Sequence, residues 1–201
     1  MMQTIDPTEM RAINDVQEIL TDLVKSVVTY PERVTVQSSI HGPLVAFVIK
    51  TEQIDVRRVI GSKGKHFKAM EVITQSLMRL MDREAHLTVD EKGPPSVMPQ
   101  NKPFSLGSQR PDSIRNVVDL LRRVIGPFLQ IPEAMEVIPT NLGTTTILEL
   151  RVKESDYPLI YGVDTVFDYG PDGNLIGSIK NIFDGIGKNN GRIIRITVNR
   201  I

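Results

Sequence analysis

Two stretches of this chain, about a hundred positions apart, spell out the same turns in the same order. Pro132-Glu133 follows Pro31-Glu32 at an offset of 101 (132 − 31), and Gly143 and Asp156 stand at that same distance from Gly42 and Asp55. Upstream, Asp119-Leu120-Leu121-Arg122 matches Asp22-Leu23-Val24-Lys25 at an offset of 97, so about four residues enter before Pro132. Downstream, Gly61-Ser62-Lys63-Gly64 and Gly170-Pro171-Asp172-Gly173 are both G-x-x-G. Thr88 follows Gly64 by 24 positions within His86-Leu87-Thr88-Val89, and Thr197 follows Gly173 by 24 within Arg195-Ile196-Thr197-Val198. The offset there is 109, which places eight further residues ahead of the second glycine pair. A chain that repeats its punctuation in this way is built from two copies of one structural unit, and 201 residues are enough for two small domains.

Hydrophobic spacing names the elements of the first copy. In Asp6-Pro7-Thr8-Glu9, Asp6 is a helix cap, Pro7 takes the first helical position and Glu9 reaches back as in a capping box. Ile13, Val16, Leu20, Leu23, Val24 and Val27 recur every three or four residues, so the helix runs to about residue 28 and stops before Pro31. Residues 34–37 alternate like a half-buried strand, and His41-Gly42-Pro43 is a turn. Residues 44–49 form the apolar run of a central strand, and residues 55–60 a short helix before the glycine pair. From Lys65 a long helix carries the stripe Phe67, Met70, Ile73, Leu77, Leu80 and Met81, and Leu87-Thr88-Val89 closes the unit as a strand.

The predicted class is therefore α+β, with two units each ordered helix, strand, strand, helix, helix, strand. Each is a three-stranded sheet packed on helices. The boundaries are 1–92 for the first domain, 93–108 for a Pro/Gly/Ser-rich linker and 109–201 for the second domain. The first is large enough to fold independently. The second opens on the helical stripe Ile114, Val117, Leu121 and Val124, which ends at Gly126-Pro127.

Charge concentrates in residues 57–68. Arg57, Arg58, Lys63, Lys65 and Lys68 lie there without a carboxylate, although the whole chain balances 24 Lys and Arg against 24 Asp and Glu. A tight glycine turn leads into a helix N-terminus, where unpaired N–H groups and the helix dipole favour phosphate. Gly61 and Gly64 let the backbone turn sharply and let a ligand come close.

Val59-Ile60-Gly61-Ser62-Lys63-Gly64 resembles the signature loop of K-homology (KH) RNA-binding domains, which clamps a four-nucleotide single-stranded backbone. The order of elements resembles the bacterial, type II, form of that fold, and residues 6–90 resemble the small bacterial proteins built from a single such domain. The resemblance implies two tandem KH type II-like domains in a non-enzymatic protein that binds single-stranded RNA, such as mRNA or other transcripts. It implies contacts from Arg57, Arg58, Val59, Ile60, Gly61, Ser62, Lys63, Gly64, Lys65 and Lys68, with Ile49, Val59 and Ile60 walling an apolar groove for bases. His66, Lys188, Arg192, Arg195 and Arg200 are candidates for auxiliary contacts. Two alternatives stay open. One is a protein-interaction scaffold or dimerisation module built on degenerate KH folds; the other is a single-stranded DNA binder, since a backbone clamp need not read the sugar.

The second glycine pair departs from the pattern. Pro171 lacks an N–H and Asp172 sets a negative charge where phosphate would sit. Asp164 and Asp168 lie just upstream, and no Lys or Arg occurs between Lys153 and Lys180. Clamping is therefore not expected at Gly170 or Gly173. The second domain is expected to orient the first, to form a homo-oligomer or to hold a protein partner. Its Arg192 and Arg200 share one strand parity and Arg195 the other, so they make no single face.

Other chemistry finds no support. With no cysteine there are no disulfides, thiolate metal sites or cysteine nucleophiles. His41, His66 and His86 have neither ligand-like nor triad-like spacing. The Gly61–Lys65 segment lacks the longer loop of a nucleotide-binding P-loop. Asp82 with Glu84, and Glu52 with Asp55, read as solvated surface, and Tyr157, Tyr161 and Tyr169 as core and loop residues. No catalytic residue, metal or cofactor is expected. No apolar run reaches membrane-spanning length, and the first residues do not read as a signal peptide, so a cytoplasmic protein without membrane insertion is expected.

Overall fold

The computed structural model describes residues 6–90, 114–161 and 174–201. The expected linker 93–108 and the second glycine pair, Gly170 to Gly173, lie outside these residues, as do Asp164, Asp168 and Tyr169. Helix α1 (Pro7–Val27) begins as its sequence dictates: the Asp6 side chain accepts the Thr8 N–H at 3.2 Å and Pro7 occupies the first turn. Glu9 does not complete a capping box. Its carboxylate pairs with Arg83, which tertiary folding brings beside it.

Strands β1 (Thr35–His41) and β2 (Leu44–Lys50) then form an antiparallel hairpin in the register His41↔Leu44. Its two-residue turn starts at Gly42 with φ +60°, the positive angle that tight hairpins require at this position. Strand β1 runs to His41, beyond the alternation read at residues 34–37, because the hairpin pairing carries it to the turn. Helices α2 (Gln53–Ile60) and α3 (Lys65–Arg79) cross over to β3 (Glu84–Asp90), which lies parallel to β2. The sheet order is β1-β2-β3. Leu80, expected on the core stripe, falls past the end of α3 and is 47 % exposed.

The second half repeats this plan with α4 (Ile114–Ile125), β4 (Glu136–Leu142), β5 (Thr145–Val152), α5 (Tyr157–Tyr161), α6 (Leu175–Asn189) and β6 (Ile193–Arg200). Its sheet order is β4-β5-β6, again antiparallel then parallel. Gly143 turns the hairpin at φ +61°. The Ile193 N–H donates to the Thr144 carbonyl at 2.9 Å, as the Glu84 N–H donates to the Pro43 carbonyl at 3.1 Å. The chain is thus α+β, with two three-stranded mixed sheets packed against helices. No helix among the described residues is long and apolar enough to cross a membrane.

The repeated aspartates explain themselves once folded. Asp55 is not solvated surface but completely buried; its two carboxylate oxygens accept the Thr29 and Tyr30 N–H groups, each at 2.9 Å. Asp156 is equally buried and accepts the Gln130 N–H at 3.0 Å. In each half, the carboxylate satisfies donors in the segment that leaves the first helix, where backbone pairing is interrupted. Asp55→Ala leaves two half-buried N–H groups without their charged acceptor, so a loss of about 2–4 kcal/mol is expected in urea denaturation of the full chain. A loss under about 1 kcal/mol would mean that water replaces the carboxylate.

The two halves share one apolar core. Helices α1 and α3 pack on β1 and β3, α4 and α6 pack on β4 and β6, and the helices of the two halves meet between the sheets. The closest pairing is α3 with α6. His66, at the start of α3, lies against Gly185, near the end of α6, so the two helices run in opposite directions. On α3 the buried positions are 69, 70, 72–74 and 76–78, more than one face of a helix. Arg123 of α4 also pairs with Asp22 and Glu18 of α1.

Candidate functional site

The glycine turn joins α2 to α3. Gly61 has φ +74° and ψ 174°, a combination open only to glycine, and a Cβ there would stand 2.5 Å from His66 Cγ. Gly64 is also left-handed, at φ +76°, but its would-be Cβ meets nothing within 4 Å. Packing demands the first glycine; only backbone conformation demands the second, and the space over it is open. Between them Lys63 takes a left-handed conformation (φ 55°, ψ 30°) that costs a non-glycine residue about 1 kcal/mol. The chain accepts that strain and keeps a cation at the tip of the turn.

Helix α3 starts against the usual rules. Among the described residues no side chain caps Gly64, there is no acidic residue in the first turn, and the cations Lys65 and Lys68 stand there instead. Cations at a helix N-terminus oppose its dipole by roughly 0.3–1 kcal/mol each. An arrangement that is locally unfavourable in this way suits an anion that would complete it. Helix α6, its counterpart, is closed: the Asn174 side chain accepts the Gly177 N–H at 2.6 Å.

Ser62, Lys63, Lys65, Lys68 and Arg57 are all exposed. Among the described residues no carboxylate pairs with Arg57, Lys63 or Lys65. Lys68 is partly neutralised by Glu71 at 3.0 Å. Arg58 lies 3.6 Å from the Asp55 carboxylate, and its Nη1 donates to Asn189 Oδ1 at 2.8 Å. Ile60 is half-buried beside the turn. Val59 and Ile49 are fully buried in the core, so neither is available as a groove wall. Their positions, on the inward face of α2 and the inward parity of β2, decide this.

The auxiliary candidates scatter. His66 is half-buried; its Nδ1 donates to the Arg58 carbonyl at 2.8 Å and its ring lies on Gly185. Lys188 is exposed one turn beyond Gly185 on α6 and pairs with Asp184 at 2.6 Å. Arg192 donates at 3.4 Å to the carbonyl of Gly143. Arg195 is exposed on the face of β6 turned away from α6. Arg200 pairs with Glu154 at 3.0 Å and stacks over Tyr157, 4.2 Å from the ring centre. Tyr157 in turn stacks on Tyr161, whose hydroxyl is held above its ordinary pKa by burial and then by the hydrogen bond with Tyr157.

Sequence reasoning overlooked Gly185 and Asn189, which bring α6 to the edge of the turn. A signal was present. Helix α6 holds three glycines, 177, 185 and 187, each costing about 1 kcal/mol relative to alanine in a helix interior, and such residues mark close approach. At Gly187 a Cβ would lie 2.8 Å from the backbone of Arg192 and Ile194.

Set against known proteins, the chain matches no family model, no curated protein and no solved structure.

Proposed function

We propose that the chain is a non-enzymatic RNA-binding protein, KH-like in both halves, that clamps the backbone of single-stranded RNA at the Gly61–Gly64 turn. The observation that carries this reading is the start of α3: a helix N-terminus with Lys65 and Lys68 in its first turn, next to the exposed cations Arg57 and Lys63, which pair with no carboxylate among the described residues. Beyond Lys65, whose N–H already donates to the Ser62 carbonyl, the first turn of α3 would offer N–H groups to a phosphate that also meets the ammonium groups of Lys63 and Lys65. Arg57 would flank the strand on the α2 side. Ile60 is the remaining apolar contact for a base beside the turn, and specificity would come from unstacked bases read there. The capped start of α6 supports assigning the clamp to the first half alone.

Titration of short labelled RNA strands against salt tests this. Each phosphate contact adds about 0.7 to the single-strand log–log slope, and a slope equivalent to roughly two to five contacts is expected. A slope near zero would remove phosphate from the mechanism. Competition between RNA and DNA of one sequence separates a clamp that reads the sugar from one that does not.

A further inference from the structure

We infer that the second half holds the clamp in shape: the C-terminal turns of α6, through Gly185 and Asn189, position His66 and Arg58 and thereby the Gly61–Gly64 turn. The function of that turn rests on the RNA reading above; its positioning does not.

The chain of contacts is short. The His66 Nδ1 donates to the Arg58 carbonyl at 2.8 Å, across the turn from the last residues of α2 to the first of α3. A carbonyl only accepts, so Nδ1 carries a proton, and Nε2 lies on the opposite edge of the ring, toward α6. That edge of the ring meets α6 at Gly185, where a Cβ would lie 2.4 Å from Nε2 and 2.7 Å from Cε1. Glycine at 185 therefore leaves the ring its place. The same ring closes on Gly61, whose would-be Cβ lies 2.5 Å from Cγ. One turn further along α6, the Asn189 Oδ1 accepts from Arg58 Nη1 at 2.8 Å while its Nδ2 donates to the Val27 carbonyl at the end of α1. The pieces of the first half that bracket the turn, the end of α1, the end of α2 and the start of α3, are thus tied to one helix of the second half. His66 is accordingly a positioning residue, acting on RNA through the loop.

Full-length variants test this with two readouts, the backbone amide resonances of Gly61, Ser62, Lys63 and Gly64, and affinity for a single-stranded RNA oligonucleotide. Gly185→Ala should displace the ring, shift those amides and the imidazole nitrogen signals of His66, and weaken RNA binding about tenfold, the loss of roughly one charge-assisted contact. Adding His66→Asn should restore both. Asparagine keeps an N–H donor at the δ position for the Arg58 carbonyl and removes the Nε2 and Cε1 atoms that crowd a Cβ at 185. His66→Ala relieves the same clash without supplying a donor, so restoration by asparagine but not by alanine is the decisive sign. Should Gly185→Ala fail to fold, His66→Leu keeps bulk at the interface, removes the donor and is expected to give the same amide shifts. Unchanged loop amides in these variants would overturn the inference. Amide shifts that rescue as described, in a protein whose parent binds no RNA, would uphold the positioning and overturn the RNA reading instead.

Discussion

Replacing Ser62 and Lys63 by aspartate is expected to weaken single-stranded RNA binding by about a hundredfold or more, with no loss of thermal stability. The first part follows from charge. Ser62→Asp and Lys63→Asp remove one cation and add two anions at the tip of the turn, and each charged hydrogen bond lost is worth about 1.5–3 kcal/mol. The second part follows from the helix. Both side chains are exposed, the turn precedes an uncapped N-terminus, and carboxylates near such an end favour the dipole that the native cations oppose. Aspartate also tolerates the left-handed conformation at position 63. The melting temperature should stay within about 2 °C of the parent or rise slightly, which rules out unfolding as the cause of lost affinity. Lys63→Asn separates the two effects, since it keeps the backbone conformation and removes only the charge. A doubly substituted protein that binds RNA like its parent would place the ligand elsewhere.

Cutting the chain to residues 1–92 should cost far more stability than any surface substitution. The first half has an element set that could stand alone by size. Its helix α3, however, buries Ala69, Met70, Val72, Ile73, Thr74, Ser76, Leu77 and Met78, and part of that surface is covered by α6. Exposing even two or three apolar side chains sacrifices about 1.5–3 kcal/mol each, comparable to the whole stability of a small domain. The fragment is expected to unfold or to self-associate, a second copy of α3 taking the place of the antiparallel α6. Sedimentation and thermal melting of the fragment decide this. A monomer that melts with the full chain would show that the two halves stabilise each other little.

Much of this architecture is legible in local sequence. Period and punctuation are properties of neighbouring residues, so the stripe from Ile13 to Val27, the Gly42 and Gly143 hairpins and the order of elements follow from spacing alone. The basic glycine turn is legible for the same reason: exposed residues have few tertiary partners to override their chemistry. Pairs distant along the chain are not written in this way. Asp55 looks like surface because its acceptor role depends on Thr29 and Tyr30, which only the folded chain brings to it. Val59 sits beside the loop in sequence but faces the core, because α2 turns it inward. His66 reads as a candidate for an auxiliary ligand contact until α6 arrives with a glycine opposite its ring. Spacing could place the turn and its charge. Only packing between the halves could make α6 its support, since a contact across more than a hundred residues leaves no periodic trace beyond the small residues that permit it.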